Sequence, residues 1–309
     1  MTAMKKIQIN QSPFYKLSSK RKLADILGIN IAFLKKFNVS RSNYNTWEQF
    51  KKNGVDKRPV EEPKPQLKFI QKKIHRHLSK IETPDFLMSG KKNCSYITNA
   101  EAHKENGHVL CMDLASFYQT AQKKYISSAF KFFFKMPDDI ALLLTDLVVI
   151  PNPQKSNEFY IPTGSPCSQT VIFWAYRQTF EKINALCLTK NVKFSLYVDD
   201  ITLSSKTKIP QKLFDDIVSL CQNVGLKIKA EKTKKYKPND YKNITGCILA
   251  KSGTIKVPNI RRKKLIDTVN QLKKEPENTN LKNSLKGQLL SVQQIEPDIF
   301  PSLQHFLKK

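Results

Sequence analysis

The stretch Val192-Lys193-Phe194-Ser195-Leu196-Tyr197-Val198-Asp199-Asp200-Ile201-Thr202-Leu203-Ser204-Ser205 decides how this chain is read. Two apolar, β-prone runs, 192–197 and 201–205, flank two adjacent acids, and this pattern predicts a β-hairpin with Asp199 and Asp200 at its tip. Paired carboxylates on a hairpin tip offer hard oxygen ligands to divalent cations, and a third from a neighbouring strand would complete a two-metal site. Asp113 is the candidate third, because it ends the apolar run Val109-Leu110-Cys111-Met112. Such a set suits phosphoryl transfer on nucleotides. The competing reading of Asp-Asp alone is a solvated turn, which would need neither the upstream strand-terminal acid nor the charge described next.

The 309 residues hold 53 Lys and Arg against 26 Asp and Glu, a formal net charge of +27. Their length allows about two domains or one large subdivided one. An excess of this size predicts a polyanionic partner bound with steep salt dependence. Nucleic acid is favoured over a membrane surface, because the basic residues are spread through every segment instead of lining one amphipathic helix. The longest apolar stretch, 140–150, is broken by Thr145-Asp146 and is shorter than the ~20 residues a spanning helix needs. The N-terminus shows no signal-like apolar core, so a cytoplasmic protein without a membrane partner is expected. Six cysteines (Cys94, Cys111, Cys167, Cys187, Cys221, Cys247) include no CxxC pair and read as free thiols in a reducing compartment. The five histidines form no metal-ligand pattern.

Along the chain, 20–27 and 31–37 read as short helices, and 57–65 as an extended segment restrained by its prolines. Residues 67–78 place Leu67, Ile70, Ile74 and Leu78 on one helical face. From Gly107 the pattern alternates. A strand at 109–114 is followed by helices at 116–135 and 138–147, a small hairpin at 148–150 and 158–161, and a long helix to Leu188 with Ser165 as a candidate cap. After the Asp-Asp hairpin come a helix at 211–224, short strands at 226–229, 233–236, 244–249 and 254–257, and helices at 259–274, 281–293 and 298–307. Residues 251–309 carry twelve Lys and Arg against five acids, which suits a helical lobe that grips a nucleic-acid backbone; a solvated helical cap is the alternative.

Four further positions attract attention individually. Tyr118 follows Asp113 closely; it is either a packed core ring or, in a nucleotidyl transferase, a ring that abuts the sugar and excludes a ribose 2′-hydroxyl. Gly164, in the bend Pro162-Thr163-Gly164-Ser165-Pro166, permits close backbone approach to a ligand, although such a bend also makes an ordinary strand-to-helix connection. Arg58, near Lys51, Lys52 and Lys57, could clamp a triphosphate with its forked donors or belong to a solvated charge run. Lys232 could approach a leaving pyrophosphate as charge stabiliser or proton donor.

Taken in order, these pieces resemble a reverse transcriptase, and more closely the bacterial retron reverse transcriptases. The motifs are Arg58 with Leu67-Lys68-Phe69-Ile70-Gln71, Asp113-Leu114-Ala115-Ser116-Phe117-Tyr118, the 162–166 bend, Tyr197-Val198-Asp199-Asp200, and Gly225-Leu226 leading to Glu231-Lys232-Thr233. Asn99-Ala100-Glu101-Ala102-His103 is similar to the retron NAxxH element, and Ile244-Thr245-Gly246 to its VTG element. Thr163 stands where the family usually has Gln, and Ile244 where it usually has Val.

The resemblance implies an α+β right-hand polymerase with an antiparallel palm sheet and a helical C-terminal thumb. Residues 1–106 would be mainly fingers, 107–240 mainly palm, and 241–309 the palm–thumb strands and thumb. Asp113, Asp199 and Asp200, with the Leu114 carbonyl, would hold two Mg²⁺ ions, Mn²⁺ being the alternative occupant. Arg58, Tyr118, Gly164 and Lys232 would contact the dNTP, and Asn99, His103, Thr245, Gly246, Arg261 and Arg262 the RNA. Further implied are a structured msr-msd type noncoding RNA, copying primed from a guanosine 2′-hydroxyl to give RNA-linked DNA (msDNA), an effector protein, and a role in antiphage defence. With so short a tail, no RNase H domain is expected. A group II intron or diversity-generating reverse transcriptase, or a noncatalytic RNA-binding scaffold, are the rival assignments.

Overall fold

The computed structural model describes residues 6–50 and 54–307, with side chains to residue 304. Helices α1 (Lys20–Leu27) and α2 (Ile31–Lys36) begin where the Ser19 and Asn30 side chains accept amide hydrogen bonds from Lys22 and Ala32, as capping residues do. Strand β1 (Tyr44–Phe50) pairs antiparallel along its whole length with β2 (Lys57–Pro63). The extended character of β2 is legible in the sequence, but β1 is not. Only Tyr44 of β1 is buried, so it carries no alternating apolar pattern, and pairing rather than burial keeps it extended. Lys51 and Lys52 lie outside the described residues. Helix α3 (Pro65–Leu78) has proline in its first turn and buries the predicted face of Leu67, Ile70, Ile74 and Leu78.

The middle of the chain supplies helix α4 (Tyr96–Glu101), strand β3 (His108–Asp113) and helices α5 (Phe117–Thr120), α6 (Lys123–Phe134) and α7 (Asp138–Asp146). The two-residue pair β4 (Ile150–Pro151) and β5 (Phe159–Tyr160) precedes helix α8 (Ser168–Leu188). Cys167 is the N-cap of α8, and the Ser165 hydroxyl donates to Gln71 Oε1 instead of capping. Then come β6 (Lys193–Tyr197), β7 (Asp200–Ser205), α9 (Gln211–Gln222) and β8 (Lys234–Tyr236). The strands form a four-stranded sheet in the order β6-β7-β3-β8, antiparallel throughout. Helix α8 contacts α3, α6, α9 and β6 and buries Phe173, Trp174, Tyr176 and Phe180, so it forms the centre of the main core. The predicted strand at 226–229 reduces to one bridge between Leu114 and Ile228.

The C-terminal part is an antiparallel three-stranded sheet, β9 (Lys242–Ile244), β10 (Cys247–Leu249) and β11 (Ile255–Lys256), followed by α10 (Asn259–Lys274) and α11 (Thr279–Gln293). The single strand expected at 244–249 is broken at Thr245 (φ +48°) and Gly246 (φ +84°). Two successive positive φ values are what a two-residue hairpin turn demands. A second core of Ile244, Leu249, Leu265, Leu285 and Leu289 also takes in Ala100 and Val109. The last predicted helix is a 3₁₀ segment, Pro301–Leu307, because proline disfavours helical backbone at the residue before it and Phe300 has φ +53°. All six cysteines are free. Among the described residues, no helix is long and apolar enough to cross a membrane.

His103 has no exposed surface. Its Nδ1 lies 2.7 Å from Ser204 Oγ and its Nε2 2.8 Å from Ser195 Oγ, so the imidazole fastens β6 to β7. The direct RNA contact expected of His103 is therefore corrected: an enclosed ring with both nitrogens engaged positions the hairpin. Burial, and then the charge of Lys193, lowers its pKa to about 3, whereas a free histidine titrates near about 6.5. On acidification from pH 7 the unfolded chain takes up this proton and the folded chain does not, so this contribution to stability is full above about pH 6.5 and declines as pH falls towards about 3. His103→Gln should flatten the fall in unfolding free energy over that window, and His103→Ala should cost about 2–4 kcal/mol at neutral pH by leaving buried hydroxyls unpaired. Denaturant titrations at several pH values check both; an unchanged pH slope in His103→Gln would refute the first.

Candidate active site

Asp113 is the last residue of β3 and Asp200 the first of β7, and the two are direct partners in the antiparallel register. Tyr197 faces Asp200 across β6 and β7, which leaves Val198 and Asp199 as the connecting turn. The Leu114 amide donates to the Asp199 carbonyl at 3.0 Å, drawing that turn onto the end of β3. Strand order alone thus gathers three acidic residues at one sheet edge. Val198 (φ +58°) and Ser116 (φ +45°) flank them in left-handed conformations, a strain of about 1–3 kcal/mol per residue. The surroundings hold that strain in place. The Val198 amide donates to Ser89 Oγ at 3.0 Å, and residues 86–89 run beside β6 through bonds from Leu196 N–H to Phe86 and from Met88 N–H to Leu196, each 2.8 Å.

Crowding of like charges shapes the electrostatics. Burial, then the charges of Asp199 and Asp113, raises the Asp200 pKa to about 7; burial, then Asp113, raises that of Asp199. Asp113 is neutralised differently. The Lys229 ammonium meets its Oδ1, and Lys232 Nζ lies 3.1 Å from its Oδ2. Burial opposes the charge on Lys232, but the hydrogen bond and charge of Asp113 outweigh it and raise that pKa. Lys229 escaped the sequence reading. Its signal was its place one residue past Ile228, which pairs with Leu114 beyond the end of β3, so that the Lys229 amide donates to the Asp113 carbonyl at 2.9 Å.

Among the described residues, no three His, Cys, Asp or Glu side chains stand as a finished metal cluster. The donors nonetheless fit a hard divalent cation: all are carboxylates, they repel one another, and two lysines now supply the positive charge on Asp113.

Tyr118 is half-buried against Phe117, with ring centroids 6.0 Å apart. Its pKa is pushed to about 12 by burial and then by the charge of Asp199. Its carbonyl accepts from the Ile161 amide at 3.3 Å, joining it to the 162–166 bend. In that bend, a Cβ on Gly164 would lie 2.6 Å from the Glu61 carbonyl oxygen, so glycine is required by the close approach of β2. Arg58, on β2, is exposed and donates to Gln49 Oε1 at 3.3 Å.

A family model described as reverse transcriptase (RNA-dependent DNA polymerase) matches residues 50–273. The chain belongs to the reverse transcriptase family. Its relatives include the Retron Se72 reverse transcriptase of Salmonella heidelberg, 30% identical over 221 residues that cover 70% of this chain and 55% of that protein. The Retron Ec86 reverse transcriptase of Escherichia coli is 25% identical over 205 residues, 64% of this chain and 61% of the relative. The Escherichia coli Retron Ec83 reverse transcriptase is 22% identical over 268 residues, 82% and 83% of the two chains. The chain thus spans little more than half the length of the first two relatives.

Within this family member, most of the retron-like residues meet at the second core. Asn99 is fully buried with Nδ2 3.4 Å from Thr245 Oγ1, and Thr245 donates to the Tyr96 carbonyl at 2.9 Å. Gly246 leaves room for Arg261, whose Nη2 would lie 3.1 Å from a Cβ there, and the Arg261 guanidinium sits 5.2 Å from the centroid of the Tyr96 ring. Arg262 turns elsewhere. It pairs with Glu296 and donates to the Val257 carbonyl at 3.2 Å, while its side chain stays partly exposed.

Removing one of three crowded acids should relieve repulsion. In chelator-treated protein, Asp200→Asn should raise the unfolding midpoint by several degrees above about pH 7. The sign follows from a raised carboxylate pKa, which costs stability above its folded value; the gain should fade as pH falls towards about 4. Thermal scans at pH 8 and pH 4.5 measure it, and a lower midpoint at pH 8 would show that the acid stabilises the empty site.

Proposed function

We propose that the chain is the RNA-directed DNA polymerase of a retron. It copies part of a structured msr-msd type noncoding RNA into single-stranded DNA that stays joined to the RNA, primed from a guanosine 2′-hydroxyl, in antiphage defence with an effector protein. The observation that carries the catalytic part is the register pairing of Asp113 with Asp200, with Asp199 in the turn beside them, in a member of this family. In this reading β1–β2 and the N-terminal helices act as fingers, the four-stranded sheet as palm, and α10–α11 as thumb.

Asp113, Asp199 and Asp200, with the Leu114 carbonyl, would hold two Mg²⁺ ions, Mn²⁺ being the alternative. When bound, such ions acidify the primer hydroxyl and stabilise charge on the transferring phosphate. Lys232, and Lys229 beside it, would move from Asp113 to the pyrophosphate oxygens as the carboxylate takes up its cation. Tyr118 would stand against C2′ of the incoming sugar, Gly164 would let the backbone approach the nucleotide, and Arg58 would clamp the triphosphate. Thr245, Gly246, Arg261 and Arg262 would form one RNA-docking surface, with the buried Asn99 holding Thr245 from beneath; it would be read by shape and single-stranded features because the A-form major groove is too narrow for side chains.

Nucleic acid that copurifies with the wild-type protein should contain DNA released from RNA by a debranching enzyme. Asp199→Asn should retain RNA and lose dNTP incorporation by about 10²–10³-fold or more, the loss typical of removing one charge-stabilising group. Incorporation at the wild-type rate would remove the carboxylate assignment. Tyr118→Ala should admit ribonucleotides, measured as the dNTP-to-NTP ratio of kcat/KM; an unaltered ratio would return this ring to a packing role.

A further inference from the structure

A joint between the two halves of the proposed nucleotide pocket is made by a buried acid that no motif includes. Glu61 on β2 is 0% exposed. Its Oε1 accepts from the Tyr160 hydroxyl at 2.6 Å and its Oε2 from the Thr163 amide at 3.1 Å. The Thr163 hydroxyl proton is shared between the Pro59 carbonyl at 2.8 Å and Glu61 Oε2 at 3.2 Å. The Gly164 amide donates to the Glu61 carbonyl at 3.2 Å. Burial, then the bond to Glu61, raises the Tyr160 pKa to about 12, so the phenol keeps the proton it donates. Arg41 Nη1 approaches the same hydroxyl at 3.4 Å and donates to the Pro151 carbonyl at 3.0 Å.

We infer that Glu61 is a positioning residue for the incoming nucleotide: with Thr163, it docks β2, and therefore Arg58, onto the 162–166 bend that carries Gly164. Arg58 stands three residues before Glu61 on the same strand, about 10 Å away at ~3.3 Å per residue. The Arg58 end of the hairpin has no burial of its own to hold that distance, since Lys57, Arg58 and Pro59 are exposed and so is every residue of β1 after Tyr44. The bend is held from its other end as well. Ser165 donates to Gln71, and Gln71 Nε2 donates to the Leu147 carbonyl at 2.9 Å and to Tyr44 Oη at 3.2 Å. The short Thr163 hydroxyl reaches both Pro59 and Glu61 because the backbones touch at Gly164. This gives the Thr that replaces the family's usual Gln a task of its own. A reacting group displaced by ~1 Å can lose most of its rate advantage, so the docking matters for the nucleotide more than for the RNA.

The inference rests on the polymerase reading, and one experiment separates the two. Primer extension on an RNA template is measured over a dNTP series for wild type, Thr163→Val, Thr163→Ser and Glu61→Gln, with RNA affinity and unfolding midpoints recorded alongside. Thr163→Val and Glu61→Gln should raise KM for dNTP by about fivefold, the value of one hydrogen bond, with kcat within about twofold and RNA affinity unchanged. Thr163→Ser, which keeps the hydroxyl, should restore the wild-type KM. If wild type extends the primer and Thr163→Val has an unaltered KM, the inference is overturned while the polymerase reading stands. It is equally overturned if KM, kcat and RNA affinity deteriorate together and Thr163→Ser rescues none of them. A wild-type protein that fails to extend any primer overturns the polymerase reading, and the inference with it.

Discussion

The pairing of β3 with β7 is the constraint on which the rest depends, because it sets Asp113 and Asp200 face to face. Two charges about 5 Å apart in a medium of effective dielectric ~20 repel by about 3 kcal/mol, so the fold must hold the register against its own electrostatics. Packing does so from both faces of β3. Leu110 and Met112 point into the main core and Val109 into the second. A slip of one residue would exchange the two faces and expose apolar side chains to the wrong surroundings. Lys229 and Lys232 then offset the remaining negative charge on Asp113.

The same strand explains why the carboxylates and the retron-like residues belong to one mechanical unit. Val109 and Ala100 enter the second core beside Ile244 and Leu265. Asn99 reaches Thr245 from α4, while His103, just after that helix, reaches Ser195 and Ser204 on the hairpin. One short segment therefore touches the C-terminal lobe at one end and both strands of the acidic hairpin at the other. The strained turn at Val198 is tolerable because Ser89, the neighbouring 86–89 segment and His103 over-determine it.

Much of this was legible in the sequence where one residue type had one physical task. The apolar face of α3, the span of α10 and the Asp-Asp hairpin follow from periodicity and turn chemistry, and the pairing of distant acids follows from the strand ending at Asp113. The misreadings share a cause, because each depended on a partner remote in sequence. β1 is a strand only because β2 lies beside it. His103 carries surface-like polarity, yet its hydrogen-bond partners are interior, the buried serines on β6 and β7. Glu61 stands among neighbouring charges with no pattern to single it out, and only the fold turns it towards Tyr160 and Thr163. The Thr245–Gly246 turn was hidden because threonine seldom adopts positive φ, although Gly246 was a visible warning.

Net charge, too, acquires a different meaning once partners are known. The excess of +27 is not uniformly available to a polyanion, since Arg262 and Lys256 are engaged with Glu296 and Arg261 lies over Tyr96. Under the proposed function, exposed Lys263 and Lys264 on α10 are better placed to meet phosphates, which are attracted at long range with little geometric demand. The paired and stacked arginines instead hold the lobe in shape. Basic residues thus divide into those left exposed to solvent and those that shape the surface of the lobe. Lys229 and Lys232 belong to neither class: their charge compensates the acidic site itself, which the excess elsewhere cannot do across a Debye length of about 8–10 Å.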